Sequence, residues 1–389
     1  MGTNGLWQET PLIYSSQISG LLGVSAYLKL ENLHPSHSFK YRGISLFAQK
    51  AREAHGPSVH LIAASGGNAG LAAACAANAL GVKCTVYIPA GAAPSTLDIL
   101  LRQKAEVIVT GRYYAEALEA ASAAVEKESH AVMVPAYDHE IVWEGHGSMI
   151  KEISTQLQGT PPDAIFCSVG GGGMLGGIIV GCNAVGWNNV PIVTLETVGS
   201  NCFYHSMSCN DGRFNSVDKV VPSDVEVVYD KANDVTLTRF NKFTSRASGS
   251  LGASLPSARV VKMALEREGA VCCASVPDEM SMQALLRFAD DHKLLVELAC
   301  STTLVPAYNP ALFNKLVPPT DANNPALFNK MVPPTDANKP RTVVFIVCGG
   351  FKVSLEDVAG FRRLVNEDVD KGGVWNVLCN DGDTFSVEK

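Results

Sequence analysis

The sequence is short of charge: 18% of its 389 residues are Asp, Glu, Lys or Arg, against about 25% in an average soluble domain. It contains no apolar run approaching the roughly 18 residues that a membrane-spanning helix needs. Its first twenty residues hold no basic stretch followed by an apolar one, so no secretory leader is expected. Clustered Lys and Arg are missing too, and the net charge is −7 at pH 7. Neither nucleic acid nor an anionic membrane surface is therefore an expected partner. No CxxC pair or Cys/His cluster has structural-zinc spacing. The 11 cysteines read as small apolar core residues in a reducing compartment. These absences point to a cytoplasmic protein that acts on small molecules.

What is present is apolar and glycine-rich: 47% hydrophobic residues, 34 glycines and 20 prolines. The length allows two or three domains at about 150 residues each. Short apolar runs at 59–64, 83–88, 106–109, 164–169, 191–196 and 342–347 alternate with helical stretches at 68–80, 94–104, 113–127, 143–156, 174–185 and 278–292. Such alternation is the pattern of a parallel α/β fold, and strands apolar at successive positions are expected to be covered on both faces. Residues 201–258, rich in Ser, Asn and Asp, read as loop and short irregular structure. The segment 309–323 (NPALFNKLVPPTDAN) recurs as 324–338 with one change, Leu316 against Met331. Its period is too short and its copies too few for a stacked array. Its Pro-Pro pairs predict a duplicated 15-residue surface loop over 309–338, with an active-site lid as the alternative.

Three segments carry chemistry. SGGNAG (65–70) follows an apolar strand and opens an Ala-rich helix, where small residues let backbone N–H groups and the helix dipole approach a carboxylate or phosphate. An ordinary tight turn fits the same residues. SVGGGGMLGG (168–177) repeats the strand, glycine, helix order. Four consecutive glycines make a concavity for one phosphate group, although no GK[ST] follows and the spacing is not that of a dinucleotide fingerprint. SHSFKYRG (36–43) places Lys40 between two aromatic residues. A lone lysine is ordinarily a solvated charge, but an amine beside a phosphate cup in a partly apolar pocket loses its proton readily and can form a Schiff base.

In this order, SHSFKYRG, SGGNAG, SVGGGGMLGG and FIVCGG (345–350) make a set that resembles the fold type II pyridoxal phosphate enzymes, and within them the L-serine/L-threonine dehydratases. The likeness runs from about Thr10 to about Leu364 and includes WEGHGSMIKEI (143–153), PIVTLETVG (191–199) and LLVELAC (294–300). It implies two open, twisted, mostly parallel sheets flanked by helices, as in tryptophan synthase β. Residues 1–33 and 136–389 would form a large cofactor-binding domain and 34–135 a small one. Pyridoxal 5'-phosphate would be held by Lys40 as the Schiff-base lysine, with Phe39 on one ring face and Asn68 at the phenolic oxygen. Gly170, Gly171, Gly172, Gly173 and Met174 would bind its phosphate, and Cys348 would face the ring nitrogen. Lys40 and Ser65 would be catalytic. Ser65, Gly66, Asn68 and Ala69 would surround the substrate carboxylate, with Ser250 near the substrate's side-chain end. Glu196, with carbonyls of Gly170, Ser200, Leu251 and Ala253, resembles a monovalent cation site, for K+. A homodimer is the family expectation.

The reaction so implied is β-elimination of L-serine, or L-threonine, to pyruvate, or 2-oxobutanoate, and ammonia. A thiol at the ring nitrogen is a weaker electron sink than an acid there, which suits elimination. Cys348 resembles the dehydratase branch, whereas racemases and cysteine synthases more often carry serine. Two other readings stay open: a serine racemase or β-replacement enzyme, and a cofactor-binding protein with altered or lost turnover. His37, Ser250 and the stretch 351–353 depart from the dehydratase pattern. After Leu364 the chain reads as a helix end and a turn-rich tail without a regulatory module, which suits an unregulated catabolic enzyme.

Overall fold

The computed structural model describes residues 5–210, 221–318, 340–379 and 384–389. The apolar runs become strands, numbered in chain order: β1 (Leu12–Tyr14), β2 (Ser25–Leu30), β3 (His60–Ala63), β4 (Lys83–Ile88), β5 (Glu106–Val109), β6 (Ala131–Met133), β7 (Ala164–Ser168), β8 (Ile192–Thr197), β9 (Val225–Asp230), β10 (Val235–Phe240), β11 (Val271–Val276), β12 (Thr342–Val347), β13 (Val374–Cys379) and β14 (Thr384–Glu388). Eight of them form one sheet in the order β1-β2-β12-β7-β8-β11-β13-β14, and four form a second in the order β5-β4-β3-β6. The smaller sheet is parallel throughout. In the larger one β2, β12, β7, β8 and β11 run parallel, and β1, β13 and β14 close its edges antiparallel. This is the α/β architecture of two mostly parallel sheets flanked by helices.

The central strands are buried at every position, as their lack of polar alternation requires: β7, β8 and β3 have no exposed residue. Phe166 of β7 and Phe345 of β12 are register partners and stack at 4.4 Å, the cross-strand aromatic contact that ties a sheet's middle together.

Three helices place the site. Lys40–His55, Glu140–Gln156 and Gly173–Val185 pack through glycine instead of through large side chains. A Cβ on Gly145 would lie 2.7 Å from the Arg42 carbonyl, and one on Gly147 would lie 3.1 Å from the Gly177 carbonyl. The helix Glu140–Gln156 thus touches the backbone of both the lysine-bearing helix and the helix that follows the four-glycine loop.

The structure departs from sequence expectation in three places. Within the stretch predicted as loop, the helix Cys202–Cys209 and the hairpin β9–β10 form. Val235, Leu237, Thr238 and Phe240 of β10 are buried, a spacing that follows no two-residue period and so leaves no strand signal among the polar residues around it. The tail after Leu364 is not turn-rich: the helix Leu355–Asp370 leads into β13 and β14. The first repeat copy is also not loop at its start. Asn309 caps the helix Pro310–Leu316 through its side chain, and Leu312, Phe313 and Leu316 are buried. The rest of the repeat, residues 319–338, lies outside the described residues.

Phe313 stacks on Phe166 with ring centroids 5.9 Å apart and is fully buried, so Phe313→Ala removes core packing. It is expected to lower unfolding stability in urea by about 3–5 kcal/mol, whereas a residue of a surface loop would cost under about 0.5 kcal/mol.

Candidate active site

Four chain turns meet at the C-terminal ends of β3, β7 and β12, where open α/β sheets bind ligands. The first is the segment entering helix Lys40–His55. It joins the turn after β12 by two backbone hydrogen bonds, Phe39 N–H to the Cys348 carbonyl at 3.0 Å and Gly350 N–H to the His37 carbonyl at 2.7 Å, which pair Ser38 with Gly349 as an antiparallel bridge. His37 is exposed and left-handed, at φ 58. Lys40 is therefore set beside Cys348 by main-chain pairing.

The Lys40 side chain is half-buried. Its Nζ donates to the Ala136 carbonyl at 3.1 Å and lies 5.1 Å from the Phe39 ring centroid. Burial lowers its pKa to about 8, against a partial upward pull from Cys348 and Glu297. A neutral amine is thus available near physiological pH, the condition for an attacking lysine.

Two residues along, Arg42 is fully buried and anchors this helix. Its guanidinium donates to Glu31 at 2.6 and 2.8 Å and to Glu152 at 2.6 and 2.7 Å. Lys29 adds a 2.6 Å bond to Glu152. The Arg42 charge and the His34 hydrogen bond hold the Glu31 carboxyl well below its ordinary range despite burial.

The second turn is Ser65–Asn68, leading into helix Asn68–Leu80. The Ser65 Oγ accepts from Gly67 N–H at 3.2 Å. Gly70 is forced by packing, since its Cβ would run into the Ser65 carbonyl. The Asn68 side chain crosses to the larger sheet, donating to both Glu297 oxygens at 3.1 and 3.2 Å and to Ser250 Oγ at 3.2 Å. Its Oδ1 accepts from Phe351 N–H at 3.3 Å.

The third is the four-glycine loop after β7. Gly172 is left-handed at φ 95. A Cβ on Gly171 would lie 2.5 Å from the Tyr137 ring, one on Gly173 would lie 2.8 Å from Tyr137 Cβ, and one on Gly170 would lie 3.0 Å from the Leu251 carbonyl. Only glycine fits, and the loop presents bare backbone at the start of the helix Gly173–Val185. Such a cradle suits a phosphate group. Gly176 and Gly177, two glycines of the same motif, face Trp143 and His146 instead, so they serve helix packing.

The fourth turn holds Cys348, buried, with its Sγ 3.6 Å from Ser168 Oγ. The thiol of Cys300 receives the Gly349 N–H at 3.2 Å. Lys40, Phe39, Asn68, Ser65, Cys348 and Gly170–Met174 therefore converge, with Ser250 joined through Asn68. Glu196 is set differently. Its buried carboxyl accepts from Phe203 N–H at 3.0 Å and Tyr204 N–H at 2.6 Å, capping the helix Cys202–Cys209, and burial pushes its pKa well above the ordinary value. Gly170 is linked to this helix by the 3.9 Å contact of its carbonyl with Cys202 Sγ. The Ser200 hydroxyl is buried and has no hydrogen-bond partner among the described residues, and Leu251 and Ala253 sit in one turn beside Gly170.

Two residues were not singled out from sequence. Glu297 is the one carboxylate in the apolar run LLVELAC, and that isolation was the available signal. It is buried and gathers Asn68, the Ser250 hydroxyl at 2.6 Å and Lys352 N–H at 2.8 Å. Tyr137 walls the glycine loop and donates to the Leu255 carbonyl at 3.1 Å; nothing in its local sequence marks it.

The profile of the family described as pyridoxal-phosphate dependent enzyme matches residues 4–318, and the chain belongs to that family. It is 34% identical over 358 residues to a Mus musculus protein named serine dehydratase-like, covering 92% of this chain and 94% of that one. It is 33% identical over 363 residues to the Homo sapiens L-serine dehydratase/L-threonine deaminase, covering 93% and 97%. A fungal L-serine ammonia-lyase from Rhizomucor miehei superimposes with a TM-score of 0.76 at 28% identity, covering 92% of this chain and 99% of that one. The side-chain-free cradle, the amine with lowered pKa and the buried thiol of Cys348 fit the family's cofactor.

Because the Lys40 pKa is lowered, its neutral form is populated above about pH 8. The rate at which the apoprotein captures added pyridoxal phosphate, followed by absorbance, is expected to rise with pH and level off above about 8. A rise continuing towards the ordinary lysine value of 10.5 would show an unperturbed amine.

Proposed function

We propose that the protein is an ammonia-lyase that converts L-serine to pyruvate, and L-threonine to 2-oxobutanoate, with release of ammonia. The observation that carries this reading is Lys40, an amine held beside a thiol at the end of β12, where a carboxylate would have favoured other chemistry. The dehydratases and ammonia-lyase among its relatives support it.

Lys40 would carry the cofactor and, once displaced by the substrate amine, accept the proton from the substrate Cα as a neutral base. Pyridoxal phosphate, when bound, supplies the electron sink for charge developing at that carbon. Gly170–Gly173 and Met174 would hold its phosphate through backbone N–H groups, Phe39 would cover one ring face, Asn68 would meet the phenolic oxygen, and Cys348 the ring nitrogen. Ser65, Gly66, Asn68 and Ala69 would orient the substrate carboxylate, with Ser250 at the side-chain end. Loss of the β-hydroxyl as water, followed by water addition at Cα, balances the conversion to keto acid and ammonia.

A K+ ion beside Glu196, with carbonyls of Gly170, Ser200, Leu251 and Ala253, extends the reading. It would offset the cost of a buried carboxylate, which the raised Glu196 pKa reflects. We further take the enzyme to be a cytoplasmic homodimer of two domains, 34–135 and the rest, without nucleic-acid or membrane partners. Among the described residues no helix is long and apolar enough to cross a membrane.

The test is keto-acid release from L-serine, L-threonine, D-serine and L-cysteine, with cofactor absorbance recorded alongside. Wild type is expected to release keto acid from L-serine, and Lys40→Ala to lose about 10²–10⁴-fold or more of that rate together with the visible absorbance. Formation of D-serine without pyruvate would make the protein a racemase. A coloured protein releasing no keto acid would make it a binder without turnover.

A further inference from the structure

The strand β12 ends at Val347, and the residues after Gly350 reach from the larger sheet to the turn after β3. Phe351 donates its N–H to Asn68 Oδ1 at 3.3 Å and packs its ring against the core of the smaller sheet. Lys352 donates its N–H to Glu297 Oε1 at 2.8 Å, and Glu297 itself receives Asn68 and Ser250. The backbone of this strap is therefore fixed at two successive residues. Its lysine extends along the Ser65–Asn68 turn: a Cβ built on Gly67 would lie 3.2 Å from Lys352 Nζ, 3.4 Å from Lys352 Cε and 3.7 Å from Ser65 Oγ. Among the described residues the Lys352 ammonium makes no ion pair, although it is exposed and free to take one.

The turn itself, Ser65, Gly66, Gly67, Asn68 and Ala69, has no cationic side chain. An anion there receives N–H donors and the partial charge of a helix end, roughly half an elementary charge. Lys352 brings a whole one, from the opposite side of the cleft. We propose that Lys352 is a specificity-determining residue that pairs with the α-carboxylate of the amino-acid substrate over the Ser65–Ala69 turn. The inference rests on the reading of that turn as the carboxylate site. It gives the strap a role in selection: a ligand with a carboxylate bridges the two sheets, and one without it leaves Lys352 in water. Because the lysine is exposed, the pairing is screened, and a contribution of about two- to fivefold in affinity is expected.

The experiment titrates the holoenzyme with glycine, which has a carboxylate and no leaving group, and with ethanolamine, which has the amine and no carboxylate, following cofactor absorbance. In Lys352→Gln, glycine is expected to bind about two- to fivefold more weakly and ethanolamine as before. Lys352→Arg should keep glycine affinity, and Lys352→Glu should weaken glycine further while sparing ethanolamine. Glycine binding to wild type should also weaken with added salt, as screening of an exposed pair requires, and that dependence should shrink in Lys352→Gln. Unchanged glycine affinity in Lys352→Gln, or equal weakening of both ligands, would overturn the proposal. Neither titration needs turnover, so absence of keto acid from wild type would remove the elimination reading and leave this one to be judged on binding alone.

Discussion

The buried guanidinium of Arg42 is the point on which the site depends. It sits two residues after Lys40 and spans Glu31 and Glu152, with Lys29 completing a set of two positive and two negative side chains. Isolating any of these charges from water would cost several kcal/mol. The set is tolerable only as a whole, with Thr10, Ser148 and Gln156 filling the remaining hydrogen bonds. Its members come from the N-terminal segment, the end of β2, the lysine-bearing helix and the helix Glu140–Gln156. The direction in which Lys40 enters the cleft is thereby tied to the larger sheet, although helix Lys40–His55 also packs on the smaller one.

Glycine contacts continue this coupling. Gly145 lets the helix Glu140–Gln156 touch the backbone at Arg42, and Gly147 meets Gly177 on the helix behind the four-glycine loop. The amine and the phosphate cradle are thus positioned by one intermediary helix, with close backbone approach replacing side-chain packing. Across the cleft a second junction forms around Glu297, which collects donors from Asn68, Ser250 and Lys352. Two of these, Ser250 and Lys352, stand where the sequence leads one to expect a departure from the dehydratase pattern. Ser250 reaches that carboxylate through its hydroxyl and Lys352 through its main-chain N–H, so only the first contact depends on the side chain present.

Local pattern made much of the fold legible. Strands 83–88, 106–109 and 342–347 and helices 68–80 and 278–292 coincide with β4, β5, β12, Asn68–Leu80 and Asp278–His292, because uninterrupted apolar runs and Ala-rich stretches have few alternatives. The helix Pro310–Leu316 was hidden because its Pro-Pro and DAN neighbours signal turns, while its burial depends on Phe166 and Arg341, residues far away in sequence. The hairpin β9–β10 was hidden because β9 has no buried residue and the buried positions of β10 follow no two-residue period. Gly176 and Gly177 fall within the helix expected at 174–185, and only the crossing of two helices shows them to be packing residues.

The sequence by itself determined the α/β class, the order of the motifs and the chemical types gathered in them: an amine between aromatics, two glycine turns at strand ends and a thiol after a buried strand. These follow from short-range rules of periodicity, backbone freedom and side-chain chemistry. Only the tertiary structure decided that the amine titrates near pH 8, that Glu297 joins Asn68 to Ser250, and that an exposed lysine lies along the turn after β3. Desolvation and charge pairing depend on which distant segments exclude water from one another, and no local stretch of sequence carries that information.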